Sequence, residues 1–242
     1  MYNERSHAEV CVRRISEVLA TVRPRTTLAI INDGSHDGTT EILDQLHREF
    51  VSLVVINHGA NRGYGAALRT GMEFAIKSGF DYALFMDSDL TNHPDDIPKF
   101  VAKMEEGFDV IKATRYSDGG HVNGVPTYRV LISKAGNSIA RRLYRLPITD
   151  CTNGFRAIRT SLLGQMALTE SKFPIIMQEL YYSRFLTSSF AQVPVTLTNR
   201  DDAQRRTSFV YRPSVFYDYL KYPLKAFFGI KPNAPAFREK TK

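Results

Sequence analysis

Short apolar runs separated by polar, glycine-bearing turns set the rhythm of the first half of the chain. Residues 26–31 (TTLAII), 51–57 (VSLVVIN), 82–86 (YALFM) and 109–114 (DVIKAT) are too short for helices and read as strands. Amphipathic stretches lie around them. Residues 7–22 carry Val10, Ile15, Val18, Leu19 and Val22 at helical spacing, interrupted by Arg14. Helices are also expected from Thr39 or Thr40 to 50, over 66–78 and over 95–106. The resulting β-α-β-α-β-α-β alternation predicts a parallel sheet with covering helices, an α/β fold. In such sheets the loops at the carboxyl ends of the strands build the ligand site. Three polar loops fall there: 32–39, 61–65 and 87–91.

The second half is less regular. A Gly-rich loop over 115–126 precedes a basic amphipathic helix over 129–145. A turn at 150–156 (DCTNGFR) leads to a helix around 161–168 and another over 175–186, followed by a strand over 192–198 and a basic loop over 200–208. Residues 216–228 read as a Tyr/Phe/Lys-rich helix, kinked or broken at Pro223. No linker divides the chain, so one large domain is expected over 1–212, with a basic aromatic segment over 213–242.

The most informative chemistry sits at Asp87-Ser88-Asp89, directly after the 82–86 run. Residues i and i+2 of an extended segment point to the same side. Two carboxylates there are costly unless a cation neutralises them. Mg²⁺ or Mn²⁺ takes oxygen ligands and shares them with a diphosphate. The competing reading, acidic residues starting a helix, fits Asp95 and Asp96 better.

Composition narrows the setting. The hydrophobic fraction of 43% and charged fraction of 24% over 242 residues are those of a globular protein. No apolar run reaches the ~18 residues needed to span a bilayer, and no signal-peptide pattern opens the chain. The two cysteines, Cys11 and Cys151, have no metal-type spacing, so a reducing cytoplasm is expected. Net charge is +7, and from Arg200 onward there are ten Lys/Arg against four Asp/Glu. Phe209, Tyr211, Phe216, Tyr217, Tyr219, Tyr222, Phe227 and Phe228 accompany that charge. Basic plus aromatic residues suit a membrane–water interface or a nucleic acid. Without a nucleic-acid motif, peripheral contact with the cytoplasmic membrane face is the expectation.

The ordered set INDGSHDGT, NRGYGAALRTG, MDSDLTNHPDDIP, ATRYSDGG, DCTNGFR, QEL and VPV…NR resembles family 2 glycosyltransferases of GT-A fold, a Rossmann-like architecture. Within them it is most similar to the polyprenyl-phosphate (dolichyl-phosphate) mannosyl- and glucosyltransferases, over roughly residues 2–208. The resemblance implies that Tyr2, Asn3, Glu4 and Asp33 line a nucleoside pocket and that Gly63 and Gly65 let backbone approach the nucleotide. It also implies that Asp89 binds the metal on the donor diphosphate and Asp87 the metal or the ribose, with Thr91 where some relatives place an amide ligand. Arg115, Arg129 and Ser133 match the positions it assigns to the acceptor phosphate, and guanidinium forks suit that task. Gln178-Glu179 lies where many members place a catalytic base, and Arg200 resembles a late arginine facing the leaving diphosphate, with Arg206 in place of a lysine. The implied reaction is inverting transfer of one mannose or glucose from a GDP- or UDP-sugar to a polyprenyl phosphate.

The chain has no Trp, so the Gln-x-x-Arg-Trp signature of processive synthases is absent. In the family an apolar first strand precedes the Tyr-Asn-Glu stretch. Here Met1 stands directly before Tyr2, so the sheet is expected to lack that strand and the pocket one wall, through an incorrectly assigned start or a truncation. Two other readings stay open. One is a truncated, non-catalytic nucleotide- or lipid-binding homologue. The other is a sugar-phosphate nucleotidyltransferase, although its basic Gly-rich opening loop is not seen.

Overall fold

The computed structural model describes residues 1–23, 25–198 and 213–233. In chain order the elements are α1 (Arg5–Leu19), β1 (Leu28–Asn32), α2 (Thr39–Glu49), β2 (Leu53–Asn57), α3 (Tyr64–Lys77) and β3 (Tyr82–Phe85). A one-turn 3-10 helix (Pro94–Asp96) then enters α4 (Ile97–Glu105), followed by β4 (Val110–Thr114), β5 (His121–Val122) and α5 (Thr127–Tyr144). The chain continues through β6 (Arg156–Arg159), α6 (Thr160–Leu163), α7 (Ile175–Leu186), β7 (Phe190–Pro194), β8 (Thr196–Leu197) and α8 (Pro213–Phe227).

The strand pleat sorts the core into layers, because alternate side chains leave a strand on opposite faces. Val110 of β4 and Ile158 of β6 pack with α3, α5, α6, α7 and α8. Ile111 and Ala113 of β4, Ala157 of β6 and Val193 of β7 pack on the other face with α1 and α4. A third cluster joins α1 and α2 to β1 and β2 through Ala8, Val12, Ile30, Leu43, Leu46 and Leu53. Helix α1 serves both because Ala8, Cys11, Val12, Ile15 and Val18 form a broad buried stripe.

The parallel sheet expected from the alternation holds for β1 with β2 and for β4 with β7. It fails in the middle. Strand β6 lies between β3 and β4 and runs antiparallel to both, giving the order β3-β6-β4-β7. Its sequence, Arg-Ala-Ile-Arg, reads as the end of a turn, and its two charges find partners only in the folded chain. The 161–168 helix shrinks to the single turn of α6. The 192–198 strand begins at Phe190 and divides at Val195, whose N–H bonds Thr114 and whose carbonyl accepts from His121, before β8 pairs with β5. Helix α8 continues through Pro223, which is buried, instead of breaking there.

Between β1 and β3 the sheet is interrupted. The two strands are not hydrogen-bonded to each other. A cavity of about 1480 Å³ separates them, lined by residues 28–31 on one side and 82–85 on the other. This is where the resemblance places a first strand. Met1 occupies one rung: its ammonium donates to the Ile31 carbonyl at 2.6 Å and its own carbonyl accepts from Asp33 N–H at 2.8 Å. That pattern is one step of a parallel ladder alongside β1. Burial lowers the Met1 ammonium pKa.

Candidate active site

Strand β3 delivers Asp87 and Asp89 to the mouth of this cavity, together with Tyr2, Glu4, Asp33, Gly63 and Tyr64. After Asp89 the backbone turns at Leu90, with φ +54°. Thr91 then donates both its N–H (3.2 Å) and its hydroxyl (2.8 Å) to Asp89 Oδ1. Thr91 therefore orients the second aspartate. Burial and the neighbouring charge of Asp89 push the Asp87 carboxyl pKa up, against Arg156 and a hydrogen bond from the Tyr64 hydroxyl. A Cβ at Gly154 would stand 2.9 Å from Asp87 Oδ2 and 3.2 Å from Tyr64 Oη, so a larger residue there would displace the Asp87 carboxylate.

No cluster of three His, Cys, Asp or Glu side chains exists among the described residues. Two carboxylates at a strand end nevertheless fit Mg²⁺ or Mn²⁺, which bind through one or two carboxylates plus substrate phosphates. A cation would also relieve the repulsion that raises Asp87.

The donor-side loops are tied to one another. The Asp33 carboxylate accepts from Arg62 N–H (2.9 Å) and Gly63 N–H (2.8 Å) and pairs with His58 Nδ1 at 2.6 Å. It thus holds the 61–63 loop against the end of β1. Asn3, at φ +52°, accepts from His36 N–H at 3.0 Å and so docks the 2–5 segment on the turn after β1. The glycine pair also serves the packing of the chain itself. A Cβ at Gly65 would lie 2.1 Å from the Glu170 carbonyl, and one at Gly63 would lie 2.7 Å from the Ser171 carbonyl. These glycines admit the backbone of the 169–173 loop, and Gly65 N–H donates to Ser171 at 2.8 Å. Phe173 from that loop stacks on Tyr64 with centroids 4.5 Å apart.

Gln178 and Glu179 support this architecture. Gln178 Oε1 accepts from Thr169 N–H (2.9 Å) and Glu170 N–H (3.1 Å). Glu179 takes Arg156 in a two-point ion pair, both side chains 1% exposed. Arg156 also donates to the Gly154 carbonyl at 2.6 Å and stacks over Phe85. Glu179 is committed to Arg156, and that pair holds the strand end that presents Asp87.

The acceptor-side candidates gather at the end of β4. Arg115 is locked by Asp150 through Nε (2.6 Å) and Nη2 (2.9 Å), and it stacks over Tyr116 at 4.9 Å. Burial would raise the Asp150 carboxyl, yet Arg115 and Lys112 hold it below its ordinary value. The Tyr116 hydroxyl donates to Ser133 at 2.7 Å, and Asn137 one turn on bonds the Ser133 carbonyl. Arg129 lies one turn before Ser133 on α5, half-buried, with Nε 3.2 Å from the Tyr128 hydroxyl. Arg115 and Ser133 are thus joined through Tyr116, while Arg129 stands at the rim. Arg200 and Arg206 lie outside the described residues.

Several contributors escaped sequence reading. Lys134 places its ammonium 5.8 Å from the Tyr116 ring centroid, adding a cation to the cluster. Lys112, fully buried in β4, donates to the Asn153 carbonyl at 2.6 Å and braces the Asp150 turn. Tyr64, Asp150 and Arg156 stood inside recognised motifs, but only the folded chain gives them partners.

Comparison with known proteins bears on the fold and the family. A polyprenol monophosphomannose synthase of Mycolicibacterium smegmatis is 29% identical over 205 residues, spanning 83% of this chain and 76% of that protein. An undecaprenyl-phosphate mannosyltransferase of Micrococcus luteus is 27% identical, spanning 86% and 84%. Among solved structures, glucosyl-3-phosphoglycerate synthase of Mycobacterium tuberculosis bound to UDP superposes with a TM-score of 0.66 at 19% identity, covering 96% of this chain and 79% of that one. The same enzyme with Mn²⁺, UDP-glucose and phosphoglyceric acid gives 0.63. At such identity the likeness establishes the fold, which is the GT-A fold. The model of glycosyl transferase family 2 matches residues 1–166, most of the chain, and the chain therefore belongs to that family and is a glycosyltransferase.

Proposed function

We propose that the chain transfers a single hexose, mannose in the first instance, from a nucleoside-diphosphate sugar to a polyprenyl phosphate at a membrane face. The observation that carries this reading is the pairing of two phosphate-oriented clusters on one sheet edge. Asp87 and Asp89 stand at the end of β3, and Arg115, Tyr116 and Ser133 gather at the end of β4. The names of the two mannosyltransferase relatives support the acceptor class and the sugar.

In this reading Tyr2, Glu4 and the loop held by Asp33 cradle the nucleoside, while Asp87 and Asp89 hold a divalent cation. That cation would neutralise charge on the departing diphosphate. Arg115, Arg129, Ser133 and Lys134 grip the acceptor phosphate. Asp150 fixes the Arg115 fork before any ligand arrives, which lowers the cost of orienting the nucleophile. A phosphate is already anionic near pH 7, so no general base is needed, consistent with Glu179 being tied to Arg156. In-line attack on the anomeric carbon inverts its configuration.

The test is turnover of GDP-mannose, GDP-glucose and UDP-glucose with a short polyprenyl phosphate, read by product mass with and without Mn²⁺. Asp89→Asn should lower the rate about 10³-fold with little change in thermal stability. Near wild-type turnover in that variant would remove the mechanism. Metal-dependent nucleotide binding without turnover of any donor would favour the binding-module reading.

A further inference from the structure

We propose that Phe173 is the platform on which the hexose ring of the donor stacks, so that it contributes to binding of the sugar nucleotide and not of the free nucleotide. The inference rests on the transferase reading and deepens its donor side.

Phe173 ends a loop that is pinned from three helices. From α3, Gly65 N–H donates to the Ser171 carbonyl at 2.8 Å, and the Arg69 guanidinium one turn on donates to the Glu170 carbonyl. From α7, Gln178 Oε1 accepts from Thr169 N–H and Glu170 N–H, and Ile176 N–H donates to the Phe173 carbonyl at 3.1 Å. From α8, the Tyr222 hydroxyl and the Lys221 ammonium reach the Glu170 carboxylate at 2.6 Å and 2.5 Å. Phe173 nevertheless stays 37% exposed and lines the cavity that holds Asp87 and Asp89. Tyr64 supports its ring, with the two planes 31° apart.

Position selects the sugar as the part of the donor that meets this ring. The Tyr64 hydroxyl donates to Asp87, and a Cβ at Gly154 would stand 3.2 Å from that hydroxyl. Gly154 belongs to the turn whose Asp150 locks Arg115. The Tyr64–Phe173 pair therefore stands beside the Asp87 carboxylate, next to the turn that leads to the acceptor cluster. A hexose passing from a diphosphate at Asp87 and Asp89 to a phosphate at Arg115 has to occupy that interval. The nucleoside reading uses a different set, Tyr2, Glu4 and the loop held by Asp33.

Chemistry agrees with position. A pyranose presents C–H groups, polarised positive, on the face of its ring, and the face of a phenyl ring is negative. A ring fixed in place before the ligand arrives loses little conformational freedom on binding.

Isothermal titration in Mn²⁺ tests the platform, with GDP-mannose against GDP and UDP-glucose against UDP. In whichever pair the wild type binds, Phe173→Ala should lower affinity for the sugar nucleotide about tenfold and leave that for the free nucleotide within about twofold. The retained nucleotide affinity also reports an intact fold. Phe173→Leu, which keeps apolar bulk and loses the aromatic face, should behave as the alanine variant does. Phe173→Tyr should keep the wild-type ratio of the two affinities. Tyr64→Phe keeps the supporting ring and loses the hydroxyl on Asp87, so it should move both affinities together. Equal losses for sugar nucleotide and nucleotide in Phe173→Ala, or wild-type behaviour in Phe173→Leu, would overturn the platform. So would a lowered ratio in Tyr64→Phe, which would assign the effect to the Asp87 hydrogen bond. A wild type that binds neither pair would defeat the donor reading and the platform with it. Normal wild-type binding with an unaltered ratio in Phe173→Ala would defeat the platform alone.

Discussion

The donor and acceptor halves of the site are held by different means. Around the acceptor cluster, buried polar groups are matched at close range, Arg115 on Asp150 and Lys112 on the Asn153 carbonyl, while the Arg156–Glu179 pair lies between the halves on β6. Around the donor mouth, loops are held mainly by backbone groups and by the carboxylates of Asp33 and Asp37, beside a cavity that lies between β1 and β3. The acceptor half is preorganised by buried side-chain pairing, whereas the donor half is tied through backbone groups, among them the rung that Met1 makes beside β1. Buried pairs are strict about partners, because removing one charge strands the other in a medium that cannot solvate it.

The sharpest way to break this contrast is Glu179→Ala, which leaves Arg156 buried and unpaired. Loss of about 3–5 kcal/mol in urea unfolding is expected, and Arg156→Met combined with Glu179→Leu should recover much of it. A Glu179→Ala chain of wild-type stability but impaired turnover would instead make Glu179 a catalytic group.

Lys112 gives a pH signature for the acceptor half. Burial lowers its pKa from 10.5 to about 8. Below that value both folded and unfolded chains carry the proton. Above it the folded chain releases the proton while the unfolded chain keeps it until about 10.5, so this group's contribution to stability rises with pH across that window. The rise amounts to at most about 3 kcal/mol. Urea unfolding at pH 7.5 and pH 10 should show it in the wild type and not in Lys112→Met, after the shared background is subtracted. Parallel pH dependence in the two proteins would contradict the assignment.

The smallest effect sharpens the donor side. Fusing five alternating β-branched residues directly before Met1 should extend the ladder already begun beside β1 and fill the cavity. A gain of about 1–2 kcal/mol is expected, apolar burial being offset by the entropy of ordering the added residues. Tighter nucleotide binding should accompany it. An unchanged unfolding midpoint would show that the cavity does not accept a strand.

Legibility differed in the same way between the halves. The strand at 82–86 and the helix at 175–186 read directly from the chain, because apolar period and length decide those elements locally. The Asp87/Asp89 pair was legible because an i, i+2 carboxylate pair after a buried strand has few inexpensive explanations. Strand β6 was not, since four residues bounded by Arg156 and Arg159 carry almost no periodic signal. Its arginines are satisfied by Glu179 and Asp109, 23 and 50 residues away in sequence. The glycines of the 61–65 loop were recognised as close-approach residues, and the sequence did not show that the 169–173 backbone, about a hundred residues downstream, packs against them.

By itself, the sequence determined the strand–helix alternation, the acidic pair, the basic aromatic segment and the family, all of which are written in local spacing and ordered motifs. Only the tertiary structure decided that β6 runs antiparallel between β3 and β4 and that Glu179 is bound to Arg156. It also decided that α8 is packed on one face and bare on the other. Those outcomes depend on which distant groups meet. A buried charge accepts whichever opposite charge the packing brings to it, and one-dimensional spacing does not encode that choice.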